Sequence, residues 1–183
     1  MNEYREQQMG DIFNEKLVAR IPTFKILLLK SLIVLEAAVI IVFAVMTLFT
    51  IKSAFSYLFA FVVTGAGYGA WYLVKQLNVE FEYAVTNSTL DVDKIIAQAR
   101  RKSVVTMDIH NIEEAGPADE IGLERVKNYD FAKIIDCTSH VQAPGRWYII
   151  YSDNGAKVLL FIEPNEKMIR SFRTYAPGAV EKR

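Results

Sequence analysis

The residues best equipped for chemistry are few and scattered. Cys137-x-x-His140 places a thiol and an imidazole three positions apart, and His110 is the only other histidine. A zinc site takes three or four ligands, so this pair falls short of one. A thiolate nucleophile paired with a histidine is a second reading of Cys137; an inert buried thiol is the simpler one. Asp91-Val92-Asp93 has the spacing of a metal-nucleotide motif. On an alternating strand those two carboxylates merely share one solvent-facing side. The chain has no phosphate-cradling glycine loop, no zinc-protease helix motif and no nucleophile elbow. No catalytic residue, metal ligand or cofactor is assigned, and the chain is read as a non-enzyme.

Two groups of charged residues remain as binding candidates. Arg100, Arg101 and Lys102 are consecutive, with Lys94 nearby. On a polar turn over residues 98–102 they suit anionic lipid headgroups or a protein partner, each cation contributing about 1 kcal/mol near an anionic surface. A solvated turn is the bland alternative. Glu36 is the other candidate, because it interrupts an apolar stretch, where an ionisable group marks a functional site by default.

The elements that carry these residues follow from hydropathy. Apolar residues make up 52% of the 183-residue chain and charged residues 23%. Residues 31–51 hold one charge, Glu36, and residues 54–74 hold none. At 1.5 Å per residue, each stretch spans a hydrocarbon core of about 30 Å. Only Lys52 and Ser53 separate them, which predicts a tight antiparallel hairpin over residues 26–76. Arg5, Lys16, Arg20, Lys25 and Lys30 precede it, and Lys75 and residues 100–102 follow, against Lys52 alone in the turn. The positive-inside bias places both termini in the cytosol, with two spans in the membrane. Residues 1–77 carry 7 basic and 5 acidic side chains (net +2), and residues 78–183 carry 14 and 16 (net −2). Neither half has the charge of a nucleic-acid binder.

Within the hairpin, folding about Lys52 sets Glu36 opposite Tyr68, where a hydrogen bond across the helices would satisfy it. Gly65 and Gly69 form G-x-x-x-G, which lets a helix approach closely. The neighbour is either the stretch Ala37, Ala38 and Val39 of the same hairpin or a second copy. Before the hairpin, residues 1–25 form a cytosolic or interfacial segment. Met9, Ile12, Phe13, Leu17 and Ile21 fall at helical spacing and predict a short interfacial helix ended by Pro22.

Past Leu77 the period changes to two. Val79, Phe81, Tyr83 and Val85 predict a strand, Asn87-Ser88 a turn, and Leu90, Val92 and Ile96 a second strand. Val105, Met107 and Ile109 mark a third, and Ile112 begins a fourth. Residues 113–130 read as a long polar loop with room for one helical turn, and 131–137 as another strand. Residues 146–162 form a hairpin about Asn154-Gly155, a type I′ turn signal. Its strands are apolar on both faces, so each face is covered. Pro164 starts a final helix whose stripe is Met168, Ile169, Phe172 and Tyr175, and Pro177-Gly178 stops it.

The run from Phe81 through Thr86-Asn87 and Leu90 to Ile96, followed by Arg100-Arg101-Lys102 and Ile109…Ile112, resembles the start of bacterial pleckstrin-homology-like domains that follow transmembrane helices. The whole chain is similar to a family of two-pass membrane proteins from Gram-positive anaerobes. Thr89 stands where that family often has arginine. The resemblance covers about residues 75–176. It implies an α+β protein: a transmembrane helical hairpin, then a PH-like antiparallel β-barrel or sandwich over 77–183, closed by a C-terminal helix. It also implies a binding or scaffolding module rather than a reaction. The expected partners are the bilayer and a protein or a second copy. The alternative is a structural subunit of a larger membrane complex, assembling through the hairpin.

Overall fold

A computed structural model describes residues 13–50 and 56–180. Strand β1 is Phe13–Ala19, helix α1 Phe24–Thr50 and helix α2 Ser56–Gln76. Then come β2 (Val79–Thr86), β3 (Thr89–Ile96), β4 (Arg100–Asp108), β5 (Ile112–Pro117), helix α3 (Glu120–Val126), β6 (Lys133–Asp136), β7 (Trp147–Asp153), β8 (Ala156–Ile162) and helix α4 (Glu166–Tyr175). The chain divides into two compact units. Among the described residues, one gathers 13–20, Glu80–Ile95 and 100–180; the other holds Ile21–Val79 and Ile96–Ala99.

The helical unit contains two helices long and apolar enough to cross a membrane. Their most apolar windows are 6% and 0% buried, which is not how the core helices of a soluble domain sit. What burial exists follows one seam. On α1 it runs through Lys30, Ile33, Ala37, Ile41, Ala44 and Thr47, and on α2 through Phe59, Val63, Ala66, Ala70 and Val74. Steps of three and four bring those side chains to one face of each helix. The small residues let the backbones close up, and Ala44 is 2% exposed. Lys30 Nζ donates to Asn78 Oδ1 at 2.7 Å, fastening the start of α1 to the residue pair after α2. Lys75 sits over the Trp71 ring at 5.3 Å. The Lys52-Ser53 turn lies outside the described residues.

The β unit has two four-stranded sheets, in the orders β1-β2-β3-β4 and β5-β7-β8-β6. No closed barrel forms among the described residues; the two sheets keep the α+β class of the barrel or sandwich that the family resemblance implies. β6 runs parallel to β8, where the expected sheet is antiparallel throughout. Two further elements depart from the sequence reading. The first is β1. Residues 13–19 form a strand, antiparallel to β2 in the register Phe13↔Thr86 to Ala19↔Glu80, and not part of an interfacial helix. Phe13, Leu17 and Ala19 share one strand face, which stays exposed, and pairing with the free edge of β2 decides in favour of the strand, burying Val18 on the other face. Met9 and Ile12 of the expected helix lie outside the described residues. The α1–α2 hairpin is therefore inserted in the connection between two paired strands.

The second departure is at the β3–β4 turn. Ala97 and Gln98, at φ 56° and 57°, make it, and Arg100 already begins β4. Asn154 and Gly155, at φ 51° and 82°, form the expected tight turn between β7 and β8. The apolar two-sidedness of those strands is explained by α3, which lies inside the segment expected to be mostly loop. Val126 packs with Tyr148, Ile150, Leu159 and Phe161, joined by Leu123 and Phe131. The opposite side carries Ile149, Leu160 and Ile162 into the main core with Met168 and Phe172 of α4, all fully buried. Asn165, not Pro164, caps α4, its side chain accepting the Met168 N–H at 2.9 Å.

Candidate functional site

The helical unit carries a lateral groove of about 280 Å³ beside its seam. Ile33, Glu36 and Ile40 of α1 form one wall, Gly69 and Leu73 of α2 the other, with Ala37, Ala66 and Ala70 beneath. Spacings of three, four and seven put each wall on one helix face. Glu36 is six residues beyond Lys30, about 9 Å along the axis. Its carboxyl has no hydrogen bond or ion pair to any described residue.

Tyr68 is not its partner. Tyr68 points away, 65% exposed, and lies against Trp71 and Tyr72 with centroids at 5.6 and 6.5 Å. Ile33 and Leu73 share the groove, as do Ala37 and Gly69. The α2 residue set against Glu36 is therefore Ala70, two positions beyond Tyr68, a rotation of about 200° on a helix. That offset turns Tyr68 out. A Cβ added at Gly65, Gly67 or Gly69 meets nothing within 4 Å, so these glycines are not required by contact with Ala37, Ala38 or Val39.

Of the four candidate cations, only Arg100 and Lys102 share a strand face. Arg100, Arg101 and Lys102 lie on a strand, not a turn, and successive strand residues point to opposite faces. Arg101 is held by Glu82 at 2.5 Å and faces Asp93 at 3.8 Å. Arg100 and Lys102 are exposed. Lys94 shares the strand parity of buried Leu90 and Val92, opposite to Asp93, and its charge acts on the Cys137 thiol. Asp91 accepts the Thr106 hydroxyl at 2.7 Å.

The Cys137–Arg146 loop is built for rigidity. Arg146 lies over the Phe161 ring at 3.8 Å and donates to Asp136 Oδ2 and the Val141 carbonyl, both at 3.0 Å. The Ser139 N–H donates to buried Glu163, and the Tyr83 hydroxyl donates to the Cys137 carbonyl at 2.5 Å. Cys137 is 1% exposed, and burial pushes its thiol up to about 12. His140 Nδ1 accepts the Gln142 N–H, and His110 pairs with Asp108. The backbone N–H and ring of His110 hold the Asp108 carboxyl below the usual range. Asp108 borders a polar cavity of about 270 Å³ with Asn111, Lys133 and Asp153, between β4 and the end of β7. No group of three or more potential metal ligands occurs among the described residues.

Comparison with known proteins gives one positive result. The model of a family described as Bacterial PH-like domain (DUF6106) matches residues 10–182, taking in the helical hairpin as well as the sheets. Neither the curated proteins nor the solved structures contain a match.

Proposed function

For a chain that belongs to the bacterial PH-like domain family, we propose a membrane-anchored, non-enzymatic binding or scaffolding role, with the β unit presented at the cytosolic face. The observation that carries this reading is the insertion of two lipid-compatible helices between paired strands β1 and β2. A β unit tethered through two adjacent strands is held by two covalent links, whereas a terminal anchor supplies one. The basic residues flanking the hairpin favour cytosolic termini. Arg100 and Lys102 are the exposed cations offered to anionic headgroups or a protein partner, with Lys94 and Arg101 supporting them.

Topology is tested with Asn154→Cys, on the exposed β7–β8 turn. An impermeant maleimide is expected to label this residue in lysed cells but not in intact ones. Labelling in intact cells overturns the cytosolic assignment. Extraction of the chain from membranes by alkaline carbonate overturns the membrane assignment.

A further inference from the structure

We propose that the groove beside α1 and α2 receives a transmembrane helix of a different polypeptide, one that carries a lysine or arginine at the depth of Glu36. This rests on the reading that the hairpin spans the membrane. Three observations converge on it.

First, Glu36 projects into the groove without a partner among the described residues. The hydrocarbon of a bilayer offers a carboxyl group neither a charge nor hydrogen-bond donors, so an ionisable group at this depth calls for a partner from elsewhere. Second, the chain cannot supply the cation itself. No lysine or arginine occurs between Lys30 and Lys52, or between Lys52 and Lys75. A second copy packed groove to groove sets one Glu36 against another, a repulsive pairing. Charge complementarity therefore selects another polypeptide.

Third, the groove is kept open at a cost. Glycine is the poorest non-proline helix former, and α2 places one, Gly69, on the groove. A Cβ added there meets open space, so packing inside the hairpin does not explain it. A helix seated against Gly69, Ala66 and Ala70 approaches closely enough to bring a basic side chain to Glu36.

The test uses the full-length chain in its native membranes. A photo-crosslinking amino acid is placed at Ile40, on the groove wall, and in a control at Leu35, which helix geometry puts roughly opposite. The Ile40 adduct is expected to contain another polypeptide, crosslinked within a transmembrane segment that bears Lys or Arg. Glu36→Gln, nearly isosteric, is expected to reduce that adduct on the order of tenfold or more, as when a desolvated charge loses its counterpart. Gly69→Leu, which fills the groove, is expected to abolish it. Glu36→Lys combined with an acidic substitution at the partner's basic residue is expected to restore it.

An adduct with a second copy, with lipid alone, or with a helix lacking a basic residue overturns the proposal. So does an adduct unchanged by Glu36→Gln. Carbonate extraction of the same membranes separates the two failures. A chain retained in the membrane without the adduct defeats this proposal alone, and a chain released from the membrane defeats the spanning reading beneath it.

Discussion

Cys137 and Arg146 show how much the surroundings decide about a reactive group. The thiol is enclosed by the core, and its raised pKa leaves almost no thiolate near neutrality. Native protein at pH 8 is expected to resist maleimide at Cys137 and to react fully once unfolded, as followed by mass spectrometry. Labelling of an introduced Asn154→Cys then needs no cysteine-free background. Arg146 binds a carboxylate, a carbonyl and an aromatic face at once, with its side chain 9% exposed. Arg146→Ala leaves Asp136 without its counter-ion and is expected to lower stability by about 3 kcal/mol, measured by chemical denaturation. The buried, inert thiol was the simpler of the two sequence readings, whereas the environment of Arg146 was not legible in the sequence. Cys137-x-x-His140 reads as a possible ligand pair only until the thiol is seen to be buried and His140 to be engaged by the Gln142 N–H.

Among the elements, α3 carries the most stringent packing. A Cβ at Gly122 would lie 2.1 Å from the Pro117 carbonyl oxygen and 2.8 Å from the Tyr148 ring. The first contact is with backbone and cannot be relieved by a rotamer change. Gly122→Ala is expected to cost about 3 kcal/mol by overpacking, read from the denaturation midpoint. The same substitution at Gly65 meets open space and is expected to be tolerated by the β unit. Strands β2, β3, β7 and β8 and helix α4 were readable because period-two alternation, turn residues and one apolar stripe each allow a single assignment. β1 was not, because Phe13 and Leu17 fit a helical period as well as an alternating one. Arg100–Lys102 was misplaced because Ala97-Gln98 is a turn without glycine, asparagine or proline to announce it.

At the scale of the whole molecule, the inserted hairpin has a practical consequence. Ala19 and Glu80 are opposite each other across β1 and β2. Replacing 20–79 with Asn-Gly should close a tight β-hairpin and leave a soluble, folded β unit. Residues 77–183 alone lack β1 and expose the edge of β2. They are expected to aggregate or unfold at lower temperature, as compared by light scattering and circular dichroism. With the soluble unit in hand, Arg100→Ala with Lys102→Ala is expected to weaken binding to anionic vesicles by about 2 kcal/mol, roughly 30-fold, if headgroups are the ligand.

The β unit should also be labile to alkali. Burial raises the pKa values of Tyr83, Tyr148, Tyr151 and Cys137 above their ordinary values of 10.0 and 9.0. A raised folded pKa gives stability that is complete below the unfolded value and lost as pH climbs toward the folded one. The melting temperature is expected to fall from about pH 9 upward, with a shallower slope in Tyr83→Phe.

Local residue patterns were enough to place the two lipid-compatible helices, the order of most strands and the capping helix. Each of these depends on the local periodicity of apolar side chains, which chain neighbours fix without help. Three features come only with long-range packing: β1 joins the sheet beyond the hairpin, α3 covers the second face of β7 and β8, and Glu36 lines a groove with Gly69 and Ala70 rather than facing Tyr68. These are pairings between distant segments, where a shift of one residue turns a helix by about 100° or a strand to its other face.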